Sequence, residues 1–272
     1  RVLSAAGALF LVGGCSWFYG TRPHARVALN QEPKTLDAVE ASDPASQWLI
    51  AQLQRGLTQM GPQGAAGDLS EGWSLDVSGK RYTFVLAPTK WSDGVPLRAA
   101  DFVFAWRRHL LHSASPAAKP LLQIEGAAIF QKSAGQTPIG LRATAENVFE
   151  VILAKPNPAF PSQVATALLG PQREEVVQKH PLDHSSPLHL RAIGSYQPTR
   201  WDPGVRMDLA VNSYAPQAPA VPLLELVFNP EAAKTASIWV DFPTGAFRSD
   251  TAHVALLPEG QNGPLLKGLL LK

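Results

Sequence analysis

Residues 82–108 read YTFVLAPTKWSDGVPLRAADFVFAWRR and carry three structural signals in a row. Apolar side chains alternate with others from Tyr82 to Leu86, which predicts a half-buried strand. The Asp-Gly pair in the stretch from Trp91 to Gly94 supplies the permissive backbone of a tight turn. Ala99 to Leu111 then predicts an amphipathic helix, whose apolar face is formed by Phe102, Val103, Trp106 and Leu110. The stretch is therefore expected to form a strand, a turn and a helix.

Outside this stretch, apolar patterns predict further short elements. Strands are expected at 26–29, 146–153, 206–211 and 223–228. Helices are expected at 46–57 and, after a proline, at 159–169, whereas the Gly-rich residues 58–67 are expected to form a loop. Helices interrupt the strands at irregular intervals, so the sequence predicts a mixed α/β fold of the α+β type.

The composition is that of a folded protein rich in loops. The chain has 272 residues, of which 45% are hydrophobic and only 17% charged, with 24 prolines and 21 glycines. That length exceeds the usual size of one domain, so one large or two modest domains are expected. The net charge is +2 and no run of five Lys or Arg residues occurs. The sequence therefore lacks the clustered positive charge that is typical of a nucleic-acid-binding protein.

The single cysteine, Cys15, directly follows the apolar stretch 5–14. This stretch is too short to span a bilayer, which takes about 20 residues, but it has the length of the hydrophobic region of a signal peptide. Leu11 to Cys15 resembles a bacterial lipobox, so residues 1–15 are predicted to be a lipoprotein signal peptide and 16–24 a tether. Cys15 would be the lipidated residue. A buried cysteine on an N-terminal hydrophobic segment is the alternative.

Catalytic motifs are missing from the sequence. It contains no Gly-x-Ser-x-Gly elbow, no phosphate-binding loop and no Gly-x-Gly-x-x-Gly fingerprint. Because the one cysteine is assigned to the signal peptide, a Cys-His nucleophile is not expected either. The sequence predicts a protein that is not an enzyme and has no cofactor.

Two groups of histidines have spacings that invite comparison with metal sites. His109 and His112 lie three residues apart on the predicted helix, but no third ligand completes a convincing set. His180, His184 and His189 are close in sequence, and the prolines among them favour a loop. Both groups are interpreted as surface, packing or loop residues, so no metal site is predicted.

The carboxylate clusters are similarly weak candidates for a metal-binding or catalytic site. Asp37, Glu40 and Asp43 are evenly spaced, but no glycine supports a calcium loop. Glu174 and Glu175 fall on a short predicted helix and are expected to face solvent.

The stretch 82–108 resembles, in order and spacing, a signature of the family 5 solute-binding proteins, which are the oligopeptide and dipeptide binders of ABC importers. Other strings are similar to that family in the expected order, and the resemblance covers about residues 26–260. These strings are Asn30–Asp37, Leu53–Leu57, Leu69–Trp73, Phe149–Phe160, Gly194–Tyr196 and Asn212–Tyr214.

The resemblance implies a two-lobed clamp of the periplasmic binding protein type II kind, of which only the first lobe is present. Its main domain would comprise 25–54 and 172–272 and be incomplete, with a smaller inserted domain at 55–171. Complete members of the family are longer, and the Leu-rich run 265–271 stops at Lys272. We therefore expect this chain to be an N-terminal fragment.

The resemblance also implies ligand-binding positions, since the family captures peptides mainly through backbone hydrogen bonds. At two of them this chain departs from the family pattern: Ala117 stands where some oligopeptide binders have Tyr, and Ile193 where Asn is usual. Simple loop packing is the alternative for every segment. The expected ligand-binding residues are Ser42, Asp43, Pro44, Ala45, Ala117, Ile193, Gly194, Ser195 and Tyr196.

The function implied by the resemblance is that of a periplasmic receptor, anchored through lipidated Cys15. It would be a monomer that delivers oligopeptides to ABC permease subunits in the inner membrane. Two alternatives stay open: a related binder of a nickel chelate, heme, opine or murein peptide, and a sensing or interaction protein without a transport role.

Overall fold

The structure is a computed structural model that describes residues 24–112, 114–216, 218–228, 236, 238–241 and 253–256. The predicted signal peptide, lipidated Cys15 and nearly all of the predicted tether lie outside the described residues. The strands are β1 (His24–Leu29), β2 (Thr58–Gly61), β3 (Gly64–Gly67), β4 (Ser70–Leu75), β5 (Arg81–Leu86), β6 (Leu141–Ala145), β7 (Val148–Ile152), β8 (Tyr196–Asp202), β9 (Arg206–Val211), β10 (Leu223–Val227), β11 (Ile238–Asp241) and β12 (His253–Leu256). The helices are α1 (Pro44–Leu53), α2 (Ala99–Leu111), α3 (Ala127–Lys132), α4 (Phe160–Gln163) and α5 (Glu174–Lys179).

The larger sheet has six strands in the order β12-β11-β1-β10-β9-β8. Its central strand β1 is parallel to both neighbours, and Val27 lies opposite Leu226 of β10 and Ile238 of β11. Parallel strands need a long crossover connection. Between β1 and β10 that connection holds α1, a two-stranded sheet of β2 and β3, a four-stranded sheet and α2. The stretch 82–108 therefore lies outside the larger sheet.

The smaller sheet has four antiparallel strands in the order β4-β5-β7-β6, and α2 packs against it. Tyr82 and Phe84 point inward from β5, as the alternating pattern predicts. From the helix, Phe102 and Trp106 pack on Phe149 of β7, with ring centroids 5.5 and 5.1 Å apart. Large aromatic rings from the helix and the sheet therefore pack together in the centre of this core.

The predicted strand, turn and helix are confirmed. β5 and α2 have the expected limits within one residue. In the turn between them, the amide of Gly94 donates to the carbonyl of Trp91 at 2.8 Å. Gly94 has a φ of 85°, a left-handed conformation that favours glycine.

Two sequence predictions are wrong. The predicted loop 58–67 is a hairpin of β2 and β3, because Gly64 adopts a positive φ that reverses the chain and small residues on both sides allow pairing. The predicted helix 159–169 is only the four-residue α4 and a separate 3-10 turn at Ala167–Leu169. The extended backbone of Thr166 separates the two helical segments. Its hydroxyl accepts from the amide of Leu168 and so caps the start of the second one.

The first helix is shifted from its predicted limits, 46–57, to Pro44–Leu53. Asp43 is its N-cap, since its Oδ1 accepts from the amide of Ser46 at 2.9 Å, and Pro44 occupies the first turn. Among the described residues, no helix has both the length and the apolar character needed to cross a membrane. The domain limits 25–54 with 172–272, and 55–171, remain a prediction.

Candidate functional site

The predicted segment from Ser42 to Ala45 starts α1. Ser42 is exposed, Pro44 is half-buried and Ala45 is fully buried. The Asp43 carboxylate is occupied by capping, because it also accepts from the Ser46 hydroxyl at 2.6 Å. At this end of α1, Ser42 is thus the predicted residue with an exposed side chain.

The Ser46 hydroxyl ties the preceding loop to the helix. It accepts from the amides of Lys34 and Thr35 at 2.9 and 3.1 Å. The loop that follows β1 is therefore held against the start of α1 by hydrogen bonds from its backbone amides to a side chain of the helix.

The predicted segment from Ile193 to Ser195 lies at the other end of α1. The amides of Ile193 and Gly194 both donate to the carbonyl of Leu53, at 3.0 and 2.8 Å. Across the segment, Asn212 donates from Nδ2 to the carbonyl of Gly194 and from its amide to the carbonyl of Ser195, both at 2.9 Å. Four backbone groups of the segment are thus bound within the protein.

Gly194 is required at this contact. A Cβ atom there would lie 2.6 Å from the carbonyl oxygen of Gln52 and 2.7 Å from the carbonyl carbon of Leu53. Ile193 is fully buried and belongs to the same apolar core as α2. In this segment the half-buried Ser195 is the predicted residue whose side chain reaches the surface.

The other two predicted positions are buried. Tyr196 begins β8, and its hydroxyl donates to the carbonyl of Val221 at 2.9 Å. Burial raises the pKa of Tyr196 to about 12, so the hydroxyl stays protonated. Ala117 packs into the core of the smaller sheet. Neither side chain has a free polar atom to offer a ligand, so any contact made there would come from backbone or apolar atoms.

The turn from Trp91 to Gly94 is hydrogen-bonded to Ala192, directly before the segment from Ile193 to Ser195, a contact that sequence reasoning did not identify. The amide of Ser92 donates to the carbonyl of Ala192 at 2.8 Å, and the amide of Ala192 donates back to the Ser92 hydroxyl at 3.2 Å. Lys90 Nζ lies 5.7 Å from the centre of the Tyr214 ring. Two segments that lie 100 residues apart in the sequence are therefore in contact.

Asp37 is the centre of a buried polar network that the sequence did not reveal. Its carboxylate accepts from Arg108 at 2.8 and 3.1 Å and from Gln172 at 3.3 Å, and it lies 3.1 Å from His184 Nε2. Burial by itself would raise the pKa of Asp37, but the contacts with His184 and Arg108 outweigh it and hold that pKa well below its usual range. Asp37 is thus ionised at neutral pH.

A cleft of about 40 Å³ lies beside this network and is lined by Asp37, Trp91, Gln172, Arg173 and His184 among others. Small-molecule sites usually occupy about 300–1,000 Å³. This cleft is too small to enclose a peptide, and the predicted ligand-binding residues do not line it.

The structure also places the other sequence candidates. His109 is buried with its Nδ1 2.6 Å from the Ser115 hydroxyl, which fits the predicted packing role. Glu174 and Glu175 are exposed on α5, as predicted. Of the predicted ligand-binding residues, two segments share α1 as a scaffold. That helix of ten residues separates them by about 15 Å.

Comparison with known proteins decides the family. Residues 65–237 match the model of the bacterial extracellular solute-binding proteins, family 5. The chain belongs to this family. Its relatives include an Escherichia coli protein described as a probable deoxycholate-binding periplasmic protein, 33% identical over 178 residues. The Salmonella typhimurium periplasmic oligopeptide-binding protein is 33% identical over 138 residues.

These alignments cover 63% and 49% of this family 5 chain, and 33% and 25% of the two relatives. The chain therefore matches between a quarter and a third of the length of these relatives. Among solved structures, Haemophilus influenzae OppA in complex with the peptide RPPGFSPFR has a TM-score of 0.70 and 23% identity, with 81% of this chain and 46% of that one covered. The Escherichia coli murein tripeptide binding protein has a TM-score of 0.71 and 22% identity, with coverage of 82% and 47%. This likeness shows the shared fold.

Proposed function

We propose that the protein is an extracytoplasmic receptor that binds oligopeptides and delivers them to an ABC importer. The observation that carries the proposal is the family 5 match over residues 65–237, on a fold shared with a binding protein solved in complex with a peptide. The solute-binding family is one of binders, in agreement with the absence of catalytic motifs from the sequence.

The arrangement at the two ends of α1 supports backbone capture of an extended ligand. Ser42 is exposed, Ser195 is half-buried, and the backbone around both is held rigidly by α1 and Asn212. A separation of about 15 Å along α1 corresponds to about four to five residues of an extended strand at 3.3 Å each. We infer that a short peptide would run along this side of the molecule, with the rest of its contacts supplied by a second lobe.

The localisation and partners belong to the same proposal. The protein would be periplasmic and monomeric, would be held to the membrane by a lipid on Cys15, and would pass its cargo to the permease subunits. Metabolic labelling with a radioactive fatty acid tests the anchor. Label in the natural full-length protein that disappears in Cys15→Ser would support it, and equal labelling of both would exclude it.

A second candidate ligand is an amphipathic anion such as a bile acid. One relative is described as probably deoxycholate-binding. In addition, the resemblance places Ala117 where some oligopeptide binders have Tyr, and this position offers a ligand only backbone and apolar atoms. A ligand with a large apolar body would lose less from that replacement than a peptide would.

Thermal unfolding of the natural full-length protein separates the two ligands. A ligand that binds only the folded state stabilises it by about 2.7 kcal/mol at 100 times its Kd. We expect a peptide mixture to raise the midpoint of wild type and of Ser74→Trp, an exposed control on β4, but not that of Ser42→Trp. A rise with deoxycholate alone would support the bile-acid ligand, and no rise with either would refute both.

A further inference from the structure

A cluster of two histidines and one aspartate lies in the loop that follows α5. Three hydrogen-bonded turns succeed one another there, since Asp183 N donates to the carbonyl of His180, Ser186 N to that of Asp183, and His189 N to that of Ser186. Their lengths are 3.2, 2.9 and 3.1 Å. These turns fold the loop back on itself, which brings the rings of His180 and His189 into a stack.

The donor atoms of the cluster converge at distances suited to a shared metal ion. His189 Nδ1 is 2.9 Å from Asp183 Oδ2, and His180 Nδ1 is 3.9 Å from Asp183 Oδ1. The three residues each offer one donor within 4.8 Å of the others. Two donors at about 2.0–2.2 Å from a tetrahedral Zn²⁺ ion lie about 3.3–3.5 Å apart. The observed spacings bracket that value.

Three buried polar atoms of this loop have no hydrogen-bond partner within the described residues. They are His184 Nδ1, the Ser186 hydroxyl and His189 Nδ1, the last of which is close to Asp183 but outside hydrogen-bond geometry. Buried polar groups are nearly always satisfied, so such atoms call for an explanation. A metal ion bound by the cluster would take up the lone pair of His189.

The stacking of the two histidine rings suits metal binding as well. The two rings stack with centroids 3.5 Å apart and an angle of 15° between their planes, an arrangement that disfavours two positive charges. Neutral imidazoles are the form that binds metals.

We propose that His180, Asp183 and His189 form a binding site for a divalent transition-metal ion of the Zn²⁺ class, with an open position for water. Two imidazoles and one carboxylate match the ligand preference of Zn²⁺, whereas Ca²⁺ and Mg²⁺ need more oxygen ligands. The sequence grouped His184 with the other two histidines. In the structure, His184 Nε2 instead lies 3.1 Å from Asp37, and Asp183 takes its place in the cluster.

The site would fasten the loop between α5 and β8. The same loop carries His184, which contacts Asp37 in the buried network. An ion that holds His180 and His189 together would thus stabilise both the loop and the network. This inference is independent of the peptide proposal, because its ligands are not among the predicted peptide-binding residues.

Isothermal titration of the demetallated full-length protein with Zn²⁺ tests the proposal. We expect one equivalent to bind to wild type, with an affinity at least about 10-fold weaker in His180→Ala and in Asp183→Asn. Because a loop substitution could perturb folding, circular dichroism is recorded for each variant. The visible spectrum of the Co²⁺-loaded protein provides a second measurement, since it reports four-coordinate nitrogen and oxygen ligation directly.

Two matched controls are a histidine and a carboxylate outside the cluster, changed as His112→Gln and Glu174→Gln. Both should keep the affinity of wild type. Absence of stoichiometric binding by wild type, or equal affinity in the cluster variants and the controls, would overturn the proposal. In that case the three side chains form only a hydrogen-bonded and stacked group.

Discussion

Arg108 on α2 and Asp37 in the loop after β1 form a two-point ion pair, although they are 71 residues apart in the sequence. The Asp37 side chain is only 2% exposed. The pair links the helix that covers the smaller sheet to the loop that leaves the central strand of the larger one. Gln172 and His184 add contacts from the chain that returns to the larger sheet. Four separate parts of the chain thus meet at one carboxylate.

Loss of this carboxylate should destabilise the protein strongly. Asp37→Ala leaves the guanidinium of Arg108 without its charged partner in a largely buried position, and breaking such a pair costs about 3–5 kcal/mol. Urea unfolding of the full-length protein measures the change. Arg107→Ala on the exposed side of the same helix should cost at most about 1 kcal/mol, since its main contact is a cation-π contact with Phe130. Similar losses in both variants would contradict a special role for Asp37.

Gly194→Ala should be destabilising for a steric reason. The added Cβ would meet the backbone of Gln52 and Leu53 at 2.6–2.7 Å, and the backbone of α1 cannot move away cheaply. We expect a loss of about 1–3 kcal/mol or more in the free energy of unfolding. Gly61→Ala is the matched control, because its nearest contact is 3.4 Å away, and it should change stability by less than about 0.5 kcal/mol. A neutral Gly194→Ala would show that the segment can shift.

Ile193→Asn tests whether the family's usual asparagine is tolerated in this chain. Ile193 is fully buried in an apolar core, so a buried amide without partners should cost about 2–4 kcal/mol. Ile193→Val should cost only about 0.5–1.5 kcal/mol. If the asparagine variant is as stable as wild type and binds peptides more tightly, the position contacts the ligand after all. Chemical denaturation and calorimetric titration with a peptide mixture provide the two measurements.

Stability should fall between about pH 6.5 and pH 4 because of His109. Burial lowers the pKa of His109 from 6.5 to about 4, so the unfolded chain binds a proton in this range and the folded chain does not. Stability is therefore full above pH 6.5 and is lost as the pH falls toward 4, by about 3 kcal/mol in all.

Unfolding by urea at several pH values measures this slope. In His109→Gln the slope between pH 6.5 and 4 should become shallower. Ser115→Ala is the control: it removes the partner of His109 Nδ1 but keeps the titrating ring, so stability should drop at every pH while the slope is retained. An unchanged slope in His109→Gln would assign the pH dependence to other groups.

Local sequence determined the parts of the fold that depend on neighbours in the chain. The alternation from Tyr82 to Leu86, the Asp-Gly pair and the apolar face of α2 predicted a strand, a turn and a helix, because each requires only residues a few positions apart. The hairpin at 58–67 was missed for the opposite reason. Its short, Gly-rich strands carry almost no alternation, and only the positive φ of Gly64 reveals the reversal.

The ligand-binding residues remain a prediction, and the sequence could not show what their side chains contact. The ordered strings that resemble family 5 predicted Ser42 and Ser195 as ligand-binding residues, but they could not show that Asp43 is used as a helix cap or that Tyr196 binds Val221. Both roles depend on which backbone groups come close in space. A side chain's availability to a ligand follows from those contacts, which strings of residue types do not record.

The sequence by itself thus determined the family, the mixed α/β character and the strand, turn and helix at 81–111. Tertiary structure alone decided that Asp37 meets Arg108 and His184, and that Asp183 rather than His184 joins His180 and His189. Helical and strand periodicities arise from local backbone geometry and can be read along the chain. Contacts over 71 or 147 residues depend on how the crossover folds back on the larger sheet, and burial then sets which charges must pair.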